Sequence, residues 1–379
     1  LSLAARIRRQ VAVPAGAIVL AFLVGAVVLI ASSPLVSGHL DLFLPLRTYF
    51  ALLQGSVFSF NSIIDTITIA TPLALVGLAV GLGFKAGLFN IGGQGQFLVG
   101  ALAAAGTGAA LSGASPLVAV PLALLSGVVA GAIFGFIPGF LKAYTGAHEV
   151  VTTIMLNYIA YQIVGYAIAG PLRAAGASFA RSNDVGNAAL PAIINAGTAG
   201  HEASLGILIP VVVVPVIWWL LFRSTIGFEI RTVGANPDAA RYAGMKPRRL
   251  VVFALTLGGL LAGVGGAIEI LGRDRYMAAA YSTNIGYDAI LVALLGRAHP
   301  VGIVIAALLL GAMRAGAPAM QSQAGIPPQM IDVLQGVILF FLAAELVVRR
   351  IFRIRAAAGG SVDELQTVTR TYSGQTTAP

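Results

Sequence analysis

Thr153, Asn157 and Tyr161 recur every fourth residue of one apolar run, so a hydroxyl, an amide and a phenol share one face of a helix. In hydrocarbon that face must turn away from lipid. Two uses are open to it: lining a polar route suited to a ribose or a base, or joining neighbouring helices by hydrogen bonds. Ionisable side chains inside apolar runs form a second group. A charge near the bilayer centre costs on the order of 3 kcal/mol on insertion scales, so Asp65, Glu269, Asp288 and Arg314 must face protein or water. Glu269 and Arg314 fall toward the same outer ends of their runs and are expected to form a structural ion pair. Asp288 and Gln94 are expected to border a route through the membrane.

No constellation reads as a catalytic centre. The chain has no cysteine, hence no thiolate metal site or cysteine nucleophile. His39, His148, His201 and His299 are scattered at loops and run edges without zinc-type spacing, and no metal is expected. No G-x-x-x-x-G-K-[ST] phosphate cradle occurs, so any ATP of that type is hydrolysed elsewhere, and the chain reads as a non-enzyme without a cofactor of its own. The glycine-rich run 92–95 lacks a strand-turn-helix context and reads as a helix break or a close helix approach.

The elements that must position these residues are membrane helices. Over 379 residues, 58% are hydrophobic and 10% charged, and the mean hydropathy is +0.91, which excludes a water-soluble domain. A net charge of +9 in so apolar a chain reports orientation, and no nucleic-acid partner is expected. A bilayer core of about 30 Å needs roughly 20 apolar residues, and ten runs emerge: 12–32, 62–84, 91–111, 116–141, 150–170, 205–222, 250–271, 285–296, 300–320 and 329–348. The eighth is too short to cross as a regular helix and predicts a broken or re-entrant segment. The expected fold is an all-α polytopic membrane protein of about ten spans with broken helices.

With Arg6, Arg8 and Arg9 before the first run, the N-terminus is placed in the cytoplasm. Only Arg47, Arg173, Arg181, Arg273 and Arg275 then fall outside and Arg314 within a span, while the rest of the 23 basic residues lie inside, both termini included. Ala31, Ser32 and Ser33 after the first run resemble a signal-cleavage site, but the run is long and an uncleaved anchor is expected. Residues 40–60, with Phe43, Tyr49, Phe50 and Phe58, read as an outer interfacial segment. Residues 1–355 form the transmembrane domain, with an outer loop at 171–204 expected to have no core of its own. A disordered cytoplasmic tail follows at 356–379.

Asn90-Ile91-Gly92-Gly93-Gln94 echoes Asn284-Ile285-Gly286-Tyr287-Asp288. Each opens an apolar run, one entered from inside and the other from outside. That is the pattern of inverted repeats beside a central pathway, or a chance recurrence of small-residue turns.

The inner loop 223–247 contains a complete short-helix grammar. Asn236 can cap, Pro237 suits the first helical position, Asp238 favours the positive dipole end, and Gly244 can close the helix after Ala239 and Tyr242. Such a helix either docks in a protein groove or is an ordinary surface turn. The loop, including Arg231, closely resembles the coupling segment of bacterial ABC-importer permeases of the branched-chain amino acid and simple-sugar type. Two further runs, Phe89-Asn90-Ile91-Gly92-Gly93-Gln94-Gly95-Gln96 and Glu149-Val150-Val151-Thr152-Thr153-Ile154-Met155-Leu156-Asn157-Tyr158-Ile159-Ala160, resemble the nucleoside-uptake branch.

The resemblance implies a translocation route involving Asn90, Gln94, Gln96, Thr153, Asn157, Tyr161 and Asp288. It also implies an ATPase-coupling surface of Arg231, Asn236, Pro237, Asp238, Ala239, Tyr242 and Gly244. The implied partners are an ABC ATPase subunit carrying ATP and Mg, a second homologous permease and an extracytoplasmic substrate-binding lipoprotein, all at the bacterial cytoplasmic membrane. The branch commonly has Glu where Gln94 stands and Asn where His148 stands. The alternatives are a simple-sugar ABC permease or an ion-gradient-driven secondary transporter; the latter has no need of a capped helix shaped for an ATPase. An intramembrane enzyme is the weakest reading, for want of a nucleophile or metal constellation.

Overall fold

In the computed structural model, residues 3–195, 202–279, 281 and 284–352 are described, and they are predominantly helical. The helices are α1 (Leu3–Ser37), α2 (Leu44–Val57), α3 (Phe60–Lys85), α4 (Gly93–Ala110), α5 (Pro116–Thr145), α6 (Glu149–Ala169), α7 (Leu208–Arg223), α8 (Thr225–Ala235), α9 (Pro237–Tyr242), α10 (Pro247–Glu269), α11 (Ile285–Leu295), α12 (Pro300–Ala324), α13 (Met330–Ala343) and α14 (Glu345–Ile351). A hairpin of β1 (Ala192–Asn195) and β2 (Glu202–Ser204) lies between α6 and α7. Local chemistry sets the starts. Pro116, Pro237, Pro247 and Pro300 sit in the first turns of α5, α9, α10 and α12, where a missing N–H costs nothing. Ser59 and Ser224 cap α3 and α8 through their hydroxyls.

Seven of the ten expected runs are helices long and apolar enough to cross a membrane. The other three depart from expectation for separate reasons. α4 has 18 residues, but its glutamines, glycines and threonine dilute its hydropathy, and it is largely buried by protein. α11 has only 11 residues, as the short eighth run predicted. The tenth run breaks at Ala344 into α13 and α14. The tail expected at 356–379 lies outside the described residues.

α3 is apolar on all sides and is the most enclosed span, with Leu73, Leu75, Val76, Leu78 and Val80 essentially inaccessible. α10 is the next, and it packs along α5 through glycines of both helices. A side chain on Gly131 would overlap the carbonyl of Gly259, and one on Gly259 would overlap the carbonyl of Gly131. Between membrane helices no hydrophobic force replaces such contact, so backbone proximity supplies the attraction.

At one end of the bundle α8 reaches the end of α3, with Gly234 against the backbone of Lys85 to Gly87. The opposite end carries the loop 171–204, whose apolar residues are buried jointly with the bundle rather than in a core of the loop's own. Val185, Ala188, Leu190 and Ala203 are buried there with Met277. Backbone bonds stitch it to the chain after α10, from Leu190 to the Leu271 carbonyl at 2.8 Å, Val185 to Arg275 at 2.9 Å and Ser182 to Met277 at 2.8 Å. The sparse apolar residues of this loop suffice because the bundle supplies the other half of the core. In the segment 40–60, Phe43, Phe50 and Phe58 are exposed, whereas Tyr49 turns inward and donates to the Phe22 carbonyl at 2.7 Å.

Gly131→Leu is expected to lower the stability of the α5–α10 pair by at least the cost of overpacking, about 1–3 kcal/mol. Gly336→Ala, at a site with open space around it, should be neutral. Thermal unfolding in detergent, followed on the two purified variants, checks the contrast.

Candidate functional site

After α3 the chain turns back into the bundle and α4 starts inside it. A Cβ on Gly93 would lie 3.3 Å from Val76 of α3, and Val76 stands nine residues, about 13 Å of helix, before the end of α3 at Lys85. α11 starts at the same place. The Gly286 N–H donates to Gln94 Oε1 at 2.8 Å, and only glycine fits at 286, where a side chain would overlap the backbone of Gln94. From this shared start α4 runs toward the end bearing the loop 171–204, and α11 runs toward Ala298 beside Gly81 of α3. The two stretches that echo each other in sequence therefore touch, and their half-helices diverge head to head.

Each half-helix presents backbone N–H groups with no partner inside the helix, and side-chain amides satisfy them. Asn157 Oδ1 on α6 accepts from Gly95 N–H at 2.8 Å, while its Nδ2 donates to the Ile91 carbonyl at 3.0 Å and toward the Tyr287 hydroxyl at 3.5 Å. Asn90 Oδ1 accepts from Gly92 N–H at 3.0 Å, and its Nδ2 donates to Gln96 Oε1 at 3.3 Å. Thr153 bonds back to the Val150 carbonyl at 3.1 Å and fills the space beside Gly92. Tyr161 is half-buried next to Gln94 and Tyr287. Asn90, Gln94, Gln96, Thr153 and Asn157 are each at most 1% exposed. In this structure Thr153 and Asn157 are buried at a helix junction, with Tyr161 half-buried beside it.

The expected Glu269–Arg314 pair is not formed; the charges pair differently. Glu269 is buried and bonds Arg273 at 2.8 Å, one turn along the same strand of chain, where a spacing of four residues puts the guanidinium over the carboxylate. Arg314 pairs instead with Asp288 in the first turn of α11, with Asp332 at 4.0 Å on its other side. Asp288 is therefore turned from the amide junction toward α12. Beside Glu269, the Tyr281 hydroxyl donates to Asp274 at 2.6 Å. Burial, reinforced by the charges of Glu269 and Asp274, pushes Tyr281 well above the usual phenol range and keeps it a donor. Asp65 is half-buried on α3.

At the end near Lys85, α9 is the short capped helix that the sequence describes. Asn236 Oδ1 accepts from the N–H groups of Asp238 and Ala239, each at 3.0 Å. Gly244 adopts a φ of +83°, in the left-handed region that favours glycine. Ala240 is buried beneath, whereas Tyr242 is 94% exposed, and Pro237, Asp238, Ala239 and Arg241 are exposed with it. Arg231 stands apart from this surface. Its Nε donates to the Gly227 carbonyl at 3.3 Å and its guanidinium lies 5.2 Å over the Phe222 ring, tying α8 to α7.

Sequence reasoning left out Gly286, Tyr287 and Arg273 as site residues, and the Lys142–Glu149 bridge of 2.8 Å that closes the turn between α5 and α6. The echo contained the signal for the first two, since it aligns Gly286 and Tyr287 with Gly92 and Gly93.

Comparison with known proteins bears on this architecture. A family model described as branched-chain amino acid transport system / permease component matches residues 62–343. The chain is 37% identical to the guanosine ABC transporter permease protein NupP of Bacillus subtilis, over 89% of this chain and 94% of that protein. It is 34% identical to the nucleoside ABC transporter permease protein NupB of Lactococcus lactis, over 90% and 92%. It is 33% identical to the glucose ABC transporter permease protein TsgB13 of Haloferax volcanii, over 79% and 80%. No solved structure matches.

Position 94 needs an acceptor for the Gly286 N–H, which a carboxylate also offers. Gln94→Leu is expected to leave that N–H buried and unpaired, at a cost of about 1–3 kcal/mol. Gln94→Glu should keep most of the stability, and thermal unfolding of the two variants separates the outcomes.

Proposed function

The chain belongs to the family of branched-chain amino acid transport system permease components, and we propose, from that premise, that nucleosides are the solute it carries. It is a permease subunit of an ABC importer for nucleosides or sugars. The observation that favours nucleosides is the near full-length similarity to permeases for guanosine and for nucleosides.

The chain itself hydrolyses nothing; ATP with Mg is bound and hydrolysed by a separate ATPase subunit. A second, homologous permease completes the membrane unit, and a lipid-anchored binding protein delivers the solute from outside. The chain sits in the bacterial cytoplasmic membrane with both termini in the cytoplasm, which puts α9 on the cytoplasmic side, where a docked ATPase can grip it. The support for that contact is physical. α9 exposes almost all of Tyr242 beside Asp238 and Arg241, yet its cap and its buried Ala240 hold it in one shape.

A movement of α9 has a short way to travel. α8 rests through Gly234 on the backbone of Lys85 to Gly87, and the chain runs from there directly into Asn90 and the junction at Gln94. ATPase closure is thereby passed to the place where the two half-helices meet.

The test is reconstitution in proteoliposomes of this chain with its ATPase, second permease and binding protein. Uptake of labelled guanosine or adenosine is expected to depend on ATP, and uptake of glucose in its place would overturn the choice of solute. Asp238→Lys and Gly244→Leu are expected to abolish ATP-driven uptake while the protein still inserts and assembles with the second permease. Normal uptake by both variants, or concentrative uptake by this chain alone under a proton or sodium gradient, would remove the coupling assignment.

A further inference from the structure

α13 ends at Ala344, whose ψ of 46° breaks the helix, and α14 starts afresh at Glu345. Two contacts fix the level of α14 in the bundle. A side chain on Gly16, one turn into the candidate span Ala12–Pro34, would press on Val348 and Phe352. Glu345 reaches the guanidinium of Arg297, in the turn between α11 and α12, at 3.5 Å. α14 therefore lies at a boundary of the bundle, level with the first turns of the α1 span and the start of α12.

The two sides of α14 differ. Val348 is fully buried against α1, whereas Val347 and Ile351, four residues apart and so on one face, are 45% and 54% exposed. Arg350 is exposed beside them. Arg349 is held by Glu345 at 2.6 Å, but among the described residues no carboxylate lies within ion-pair distance of Arg350. The neighbouring sequence adds charge of the same sign: Arg353 and Arg355 follow before any further acid, and Arg6, Arg8 and Arg9 stand at the start of α1. Apolar side chains interleaved with unpaired arginines at a span boundary fit one kind of surface, in which acyl chains take the apolar groups and phosphates take the guanidinium. The excess of arginine over carboxylate, more than the apolar area, makes that surface an anionic one.

We propose that α14 is a docking surface for anionic phospholipid, with Arg350 holding the headgroup phosphate and Val347 and Ile351 resting on the acyl chains. That the lipid belongs to the cytoplasmic leaflet rests on the orientation given above. The docking has a consequence inside the bundle. Arg297 and Ala298 have φ of +52° and +50°, a left-handed region that residues other than glycine seldom enter, and Glu345 of α14 meets Arg297 there. A lipid that seats α14 thereby steadies the turn that ends α11.

The chain has no cysteine, so Ile351→Cys gives a single point for a fluorescent label. The full-length labelled chain, alone and assembled with its partner subunits, is placed in phosphatidylcholine vesicles with a fixed fraction of either nitroxide-labelled phosphatidylglycerol or nitroxide-labelled phosphatidylcholine. Both lipids are expected to quench the label, phosphatidylglycerol the more strongly. Arg350→Gln is expected to lower the preference about fivefold, the factor that about 1 kcal/mol per basic residue near an anionic surface gives, with quenching by phosphatidylcholine unchanged. Arg248→Gln, an exposed arginine at the start of α10 on the same end of the bundle, should leave the preference as it is. Equal quenching by the two lipids overturns the site. So does equal loss in Arg350→Gln and Arg248→Gln, or absence of quenching by either lipid in the assembled transporter, which would mean that protein covers the face. The vesicles have the same lipids in both leaflets and contain no solute, so each of these outcomes leaves the transport reading standing, and failure of ATP-driven uptake in the assay above leaves this site standing.

Discussion

Two half-helices that begin inside a membrane each leave their first amide N–H groups facing a medium without water to bind them. The interior of this protein is arranged around that requirement. Gln94 caps α11 through Gly286, Asn157 caps α4 through Gly95, and Asn90 closes the turn that leads into α4. Neutral amides suit the task because each offers a donor as well as an acceptor. Asn157 can thus satisfy a carbonyl and an N–H of the same turn at once. Glycine is required where the two helix starts touch, and a single side chain at 286 would push them apart.

The junction was partly legible before any coordinates. The echo between 90–94 and 284–288 marked both helix starts, and the fourfold spacing of Thr153, Asn157 and Tyr161 marked the face that meets them. What the spacing could not decide was whether that face looks at solute or at protein. A pattern of polar residues says only which side avoids lipid, and a route and a junction both satisfy it.

The fold class, the capped α9 and the short α11 followed from local rules: apolar length, cap chemistry and a break where glycines gather. The ion pairs did not follow, because they depend on how helices rotate against one another. Glu269 found a nearer partner in Arg273 on its own helix turn, and Arg314 met Asp288 across the α11–α12 contact. The core beneath the loop 171–204 was likewise hidden, since half of it belongs to the bundle.

The two halves of the echo are not chemically equal, and the difference has a physical sense. At the fifth position of each stretch stand Gln94 and Asp288. The first points across the junction and caps the other half-helix; the second turns away to Arg314. Were both positions carboxylates aimed at the junction, two like charges would share one buried site and repel. With Asp288 committed to Arg314, the junction contains hydrogen bonds alone. A contact of that kind can be broken on one side and re-formed on another without moving a net charge through hydrocarbon, where an ion would be costly.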